Sequence, residues 1–80
     1  MKLTDFKEKD IIRWERPREY RAIAIVSSVD ASTGVVKLHI LHDSVFENNY
    51  YKFDIGAFCE LLSSDFKECF LISKENERQV

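Results

Sequence analysis

Residues 20–40 constrain the fold most. Tyr20 opens the run Tyr-Arg-Ala-Ile-Ala-Ile-Val-Ser-Ser-Val, in which β-branched residues crowd both faces around residues 23–26. Turn formers follow at Asp30, Ala31, Ser32, Thr33 and Gly34, and Gly34 can take the positive φ that a tight reversal needs. Beyond it the chain alternates with a period of two, Val36, Leu38 and Ile40 on one face and Lys37 and His39 on the other. Both halves fit a β-hairpin, and the two-sided apolar first half predicts a strongly bent central strand.

The flanks supply the remaining elements. Residues 10–14 place Ile12 and Trp14 on one face and Arg13 on the other, and Pro17 halts that ladder because it has no N–H to donate. After the polar residues 42–49, Tyr51, Phe53 and Ile55 alternate with Tyr50, Lys52 and Asp54 as a fourth strand. Asp54 is placed to cap a short helix over residues 55–62, with Phe58, Leu61 and Leu62 on one face and Ser63, Ser64 and Asp65 ending it. Residues 69–72 make a short fifth strand. The expected core is Ile12, Trp14, Ile23, Ile25, Val36, Leu38, Ile40, Phe53, Phe58, Leu61 and Leu71. The polar residues 73–79 have nothing to bury and are expected to fray beyond Lys74, leaving one domain, 1–80, ordered over about residues 6–73.

With 80 residues, 45% hydrophobic and 32% charged, the chain builds one small core and leaves little room for a deep cleft. Catalysis is not expected, because nothing local gathers a base, an orienting carboxylate and an oxyanion donor around a nucleophile. His39 and His42 are three apart on a strand and point to opposite faces, and Cys59 and Cys69 form no CxxC pair, so no metal is expected. Gly34 and Gly56 lie too far apart for a phosphate loop, and no cofactor is expected. No apolar run approaches the roughly 18 residues of a spanning helix, so no membrane partner is expected. Residues 1–6 do not resemble a signal peptide, which implies a cytoplasmic setting with both thiols reduced.

The opening Phe6-Lys7-Glu8-Lys9-Asp10-Ile11-Ile12-Arg13-Trp14, followed by four strands, a short helical turn and a last short strand over residues 6–73, resembles the SH3-like small barrels of the KOW and Tudor kind. In those families Gly-Asp-x-Val leads into the first strand. Asp10, Ile12 and Trp14 fit that pattern, and Lys9 stands where Gly is usual. The resemblance implies a mainly β fold, a single five-stranded, strongly bent antiparallel barrel with one short helix before the last strand. Such barrels host protein, peptide, RNA and DNA binding alike.

Function is read from charge. The net charge of −2 argues against a protein whose main task is to coat duplex nucleic acid, yet residues 1–21 carry seven basic and five acidic side chains against five and nine in residues 22–80. Arg13, Arg16, Arg18 and Arg21 interleave with Trp14 and Tyr20, residue types that serve as anchors at protein interfaces and that also meet phosphates and bases. Glu15 and Glu19 lower the positive field there. Tyr50, the outward member of its strand, adds a contact candidate, while Tyr51 and Phe53 read as core rather than as an aromatic cage. The reading is a small non-catalytic module that binds a protein partner through Arg13, Arg16, Arg18, Tyr20, Arg21 and Tyr50. Two alternatives stand beside it. One is a nucleic-acid-associated or regulatory domain using the same arginines. The other is an inhibitor presenting Asp43, Glu47, Asp54, Glu60, Asp65, Glu68, Glu75 and Glu77 as phosphate mimics. Oligomeric state is not set by the sequence.

Overall fold

A computed structural model describes residues 1–16, 20–45 and 55–78. Five antiparallel strands form one sheet: β1 (Ile11–Arg16), β2 (Tyr20–Asp30), β3 (Val35–Val45), β4 (Phe58–Leu61) and β5 (Cys69–Ser73), in the order β4-β3-β2-β1-β5. Short 3-10 helices cover Leu3–Asp5 and Ser63–Glu68, and a four-residue helix α1 covers Glu75–Arg78.

The hairpin forms where the sequence places it. Asp30 accepts from the Ser32 N–H at 2.9 Å and the Ser32 hydroxyl at 2.6 Å, and Gly34 reverses the chain at φ 74° while its N–H reaches the Asp30 carbonyl. Val36, Leu38 and Ile40 are buried and Lys37 is exposed. The β2–β3 register shifts between Ile23 and Ala24 and again between Val26 and Ser28. Each irregularity adds local twist to this long strand.

The buried face of β2 is the reverse of the expected one. Ala22, Ala24 and Val26 point inward, and Ile23 and Ile25 are half-buried on the outer face. Partner size decides between two apolar faces. Ala22 lies opposite Trp14, and Ala24 lies opposite both Ile12 and Ile40. Small side chains in the centre of the sheet leave the space that large neighbours fill.

Residues 55–62 do not form a helix. Gly56 turns the chain at φ 88°, its N–H reaching the Ile40 carbonyl at 2.7 Å, and the Ile40 N–H reaches the Ala57 carbonyl at 2.9 Å. β4 then pairs with β3, Cys59 opposite Leu38 and Leu61 opposite Val36. The helical spacing of Phe58, Leu61 and Leu62 loses to the edge of β3, whose backbone groups need partners. Leu61 is accordingly buried, whereas Phe58 and Leu62 are exposed. The helical turn comes later, at Ser63–Glu68, where the Asp65 carboxylate accepts from the Leu62 N–H at 3.0 Å.

The fold is mainly β as expected, but among the described residues the sheet is not closed into a barrel, and β4 and β5 stand at the two ends of its order. The Ser63–Glu68 helix spans the interval between them, and its Phe66 packs on Phe6 with ring centroids 4.9 Å apart. Leu71, expected in the core, is 40% exposed at the β5 edge. The polar tail is anchored, since buried Asp10 accepts from the Glu75 N–H at 3.0 Å at the start of α1. The expected strand over residues 50–55, with Phe53, lies almost wholly outside the described residues.

Candidate functional site

Strand alternation distributes the arginines over two faces. Ile12 and Trp14 point into the core, so Arg13 and Glu15 point to the outer face of β1. Arg21 lies opposite Glu15 in the β1–β2 ladder and donates from Nη2 to Glu15 Oε1 at 3.1 Å. Arg13 Nε sits 3.2 Å from Glu15 Oε2, a charge contact without the direction of a hydrogen bond. The hydrogen-bonded Arg21 guanidinium holds the Glu15 carboxyl below its ordinary value of 4.5, with the charges of Arg21 and Arg13 adding to the effect.

Arg16 belongs to a different cluster. Its Nε donates to Glu68 Oε2 at 2.6 Å and its Nη2 to Glu68 Oε1 at 3.3 Å, while Trp14 Nε1 donates to Glu68 Oε1 at 3.3 Å. This fork clamps the end of β1 to the second 3-10 helix. Tyr20 opens β2 opposite Arg16 and Val45. Arg18 and Tyr50 lie outside the described residues. Among the described residues of the segment, Arg13 and Arg21 share Glu15, and Arg16 is held by Glu68.

Two partners of these arginines are remote in sequence. Phe70 on β5 lies opposite Arg13, whose guanidinium carbon sits 5.3 Å from the ring centroid. Alternation around buried Cys69 was the available signal that Phe70 turns outward. Nothing local marks Glu68. Arg13, Glu15, Lys67, Glu68 and Phe70 line a groove of about 380 Å³. Phe70 is 49% exposed there.

The apolar character continues across the sheet. Half-buried Ile11, Ile23 and Ile25 share the outer face with Arg13, and at the far edge Phe58 stacks on His39 with centroids 4.7 Å apart and planes 16° apart. Both sides of the outer face thus carry an aromatic ring against a cationic or protonatable group.

No protein-family model, no curated protein and no solved structure matches this chain.

Its own geometry carries the chemistry. Burial pushes the Cys69 thiol up to about 12, with the Asp65 and Glu68 carboxylates adding to the rise, and burial also raises Cys59. Among the described residues no three His, Cys, Asp or Glu side chains gather as a metal-ligand set. No helix among them is long and apolar enough to cross a membrane. Of the carboxylates read as mimics, Glu68 is engaged by Arg16 and Asp65 caps its helix, while Glu60 lies on β4. Glu47 and Asp54, and the side chains of Asp43 and Glu77, lie outside the described residues.

Proposed function

We propose that the chain is a small non-catalytic protein-interaction domain of the SH3-like kind, opened at one side, which takes an apolar side chain of a protein partner into the Arg13–Phe70 groove. The observation that carries this reading is the half-exposed Phe70 ring beneath the Arg13 guanidinium. Aromatic and arginine side chains held rigid by cross-strand neighbours are what interface anchors are made of. The order β4-β3-β2-β1-β5, with a 3-10 turn leading into β5, supports the SH3-like comparison. Protein is favoured over nucleic acid because Glu15 and Glu68 already lie within 3.3 Å of Arg13, Arg16 and Arg21 nitrogens.

The test is affinity capture from the native host with the wild type, Arg13→Ala, Phe70→Ser and, at the remote hairpin, Ser32→Ala. A protein retained by wild type and Ser32→Ala and lost from both groove variants supports the reading. Identical recovery by all four overturns it. So does saturable sub-micromolar binding of an oligonucleotide at physiological salt, since affinity no tighter than about 10⁻⁵ M is expected there.

A further inference from the structure

The charged side chains around Phe70 are not presented equally to solvent. Both carboxylates that line the groove are engaged and recessed. Glu68 is held by Arg16 and Trp14 with its side chain 12% exposed, and Glu15 is held by Arg21 and Arg13 with its side chain 18% exposed. The two cations of the lining face outward. Arg13 has a side chain 41% exposed and meets Glu15 through a buried Nε, while the donors on its two terminal nitrogens have no hydrogen-bond partner among the described residues. Lys67, in the last turn of the second 3-10 helix, is exposed and has no acidic partner among the described residues.

We propose that the partner segment taken by this groove is acidic, laying an apolar side chain on Phe70 and an adjoining carboxylate between Arg13 and Lys67. The inference rests on the groove taking a protein partner and adds the charge of that partner. Charge complementarity sets the occupant. A basic segment would bring cations to Arg13 and Lys67, and would reach Glu15 or Glu68 only by displacing guanidinium groups that lie 2.6 to 3.3 Å from them. A neutral segment would cover the Arg13 donors without satisfying them, which costs binding energy. A carboxylate satisfies them, and the planar guanidinium can take it through two parallel N–H groups. The volume of about 380 Å³ lies at the small end of the roughly 300 to 1,000 Å³ of ligand sites, room for one apolar side chain with the acid beside it. An Asp or Glu side chain and the free carboxyl end of a chain offer the same group.

The test selects two libraries of short random peptides on the full chain, one C-terminally amidated and one with free carboxyl ends. The amidated library should yield an apolar residue with Asp or Glu within about two positions of it. Enrichment confined to the free-acid library, with the apolar residue near its end, assigns the carboxylate to a chain terminus. Against the best peptide, Phe70→Ser should weaken binding about tenfold or more. Arg13→Gln and Lys67→Gln should each weaken it about fivefold, but weaken the peptide whose acid is changed to the amide by less than about twofold, with circular dichroism showing the fold intact. Neutral or basic neighbours around an apolar residue, with binding still lost on Phe70→Ser, overturn the acidic inference and leave the groove reading standing. Equal losses for acid and amide peptides in the Arg13 and Lys67 variants do the same. No enrichment, or enrichment indifferent to Phe70→Ser, overturns both. A phosphoserine peptide bound more than about tenfold tighter than its glutamate counterpart overturns the carboxylate and assigns the two cations to phosphate.

Discussion

The two edges of one sheet are finished differently. β4 carries Glu60 at an exposed position in its middle, so an added strand would meet a carboxylate there. β5 has no charged residue between Cys69 and Ser73, and its charges stand just outside the strand. Depth differs as well. β4 drives Leu61 into the core at 0% exposure, whereas the apolar residues of β5 after Cys69 all stay 40% to 50% exposed. One edge sends a large side chain into the core and carries a carboxylate, and the other leaves its apolar residues half-exposed on a strand with a bulge. An 80-residue chain with a small core has little apolar surface to spare, so three such residues on one short strand imply a use beyond folding.

The largest expected effect breaks that comparison if it fails. Leu61→Ala removes a fully buried side chain and should cost about 2 to 5 kcal/mol, a large part of the stability of a domain this size. Ile72→Ala removes a half-exposed one and should cost within about 1 kcal/mol. Urea unfolding at low protein concentration measures both. Equal losses would mean that Ile72 is packed as deeply as Leu61.

That contrast was only partly legible in the sequence. The hairpin stood out because Val36, Leu38 and Ile40 alternate against Lys37 and His39 after a turn of demanding chemistry. β2 offered two apolar faces, and only the size of Trp14 and Ile40 across the ladder selects Ala22 and Ala24 for the inside. Residues 55–62 satisfied helical spacing and strand alternation at once, and the tie was broken by β3, which no local pattern contains. The arginines were found, but the clamp on Arg16 comes from Glu68, 52 residues away. Side chains that meet across a sheet leave no trace in local spacing.

A middle-sized effect sharpens the account of the β5 flank. Lys9, standing where the SH3-like pattern has Gly, adopts φ 68°, and its N–H still reaches the Val26 carbonyl at 2.8 Å. A side chain in that left-handed region costs about 1 kcal/mol or more. Lys9→Gly should therefore raise stability by about 1 kcal/mol, since the exposed Lys9–Glu75 contact it removes contributes little. A lower melting temperature for Lys9→Gly would show that the turn is held by the lysine side chain.

The smallest effect separates the outer face beside β5 from the remote hairpin. Glu15 is lowered from its ordinary 4.5 by the Arg21 hydrogen bond, and Asp30 from its ordinary 3.8 first by the Ser32 hydroxyl and backbone N–H. A carboxyl whose folded value lies below its unfolded one binds its proton more tightly in the unfolded chain. Its contribution is therefore complete above the ordinary value and disappears as the pH falls through the lowered one. Melting temperature should hold level from neutral pH down to about pH 5 and fall below about pH 4. Glu15→Gln and Asp30→Asn should each make the acid limb shallower while lowering the neutral plateau slightly. Added salt should weaken the Glu15 contribution more than that of Asp30, because Glu15 faces two guanidinium charges and Asp30 faces neutral donors. An acid limb unchanged in both variants would show that neither carboxylate contributes to folding, and equal salt sensitivity would show that the Arg13–Glu15–Arg21 cluster does not act through charge.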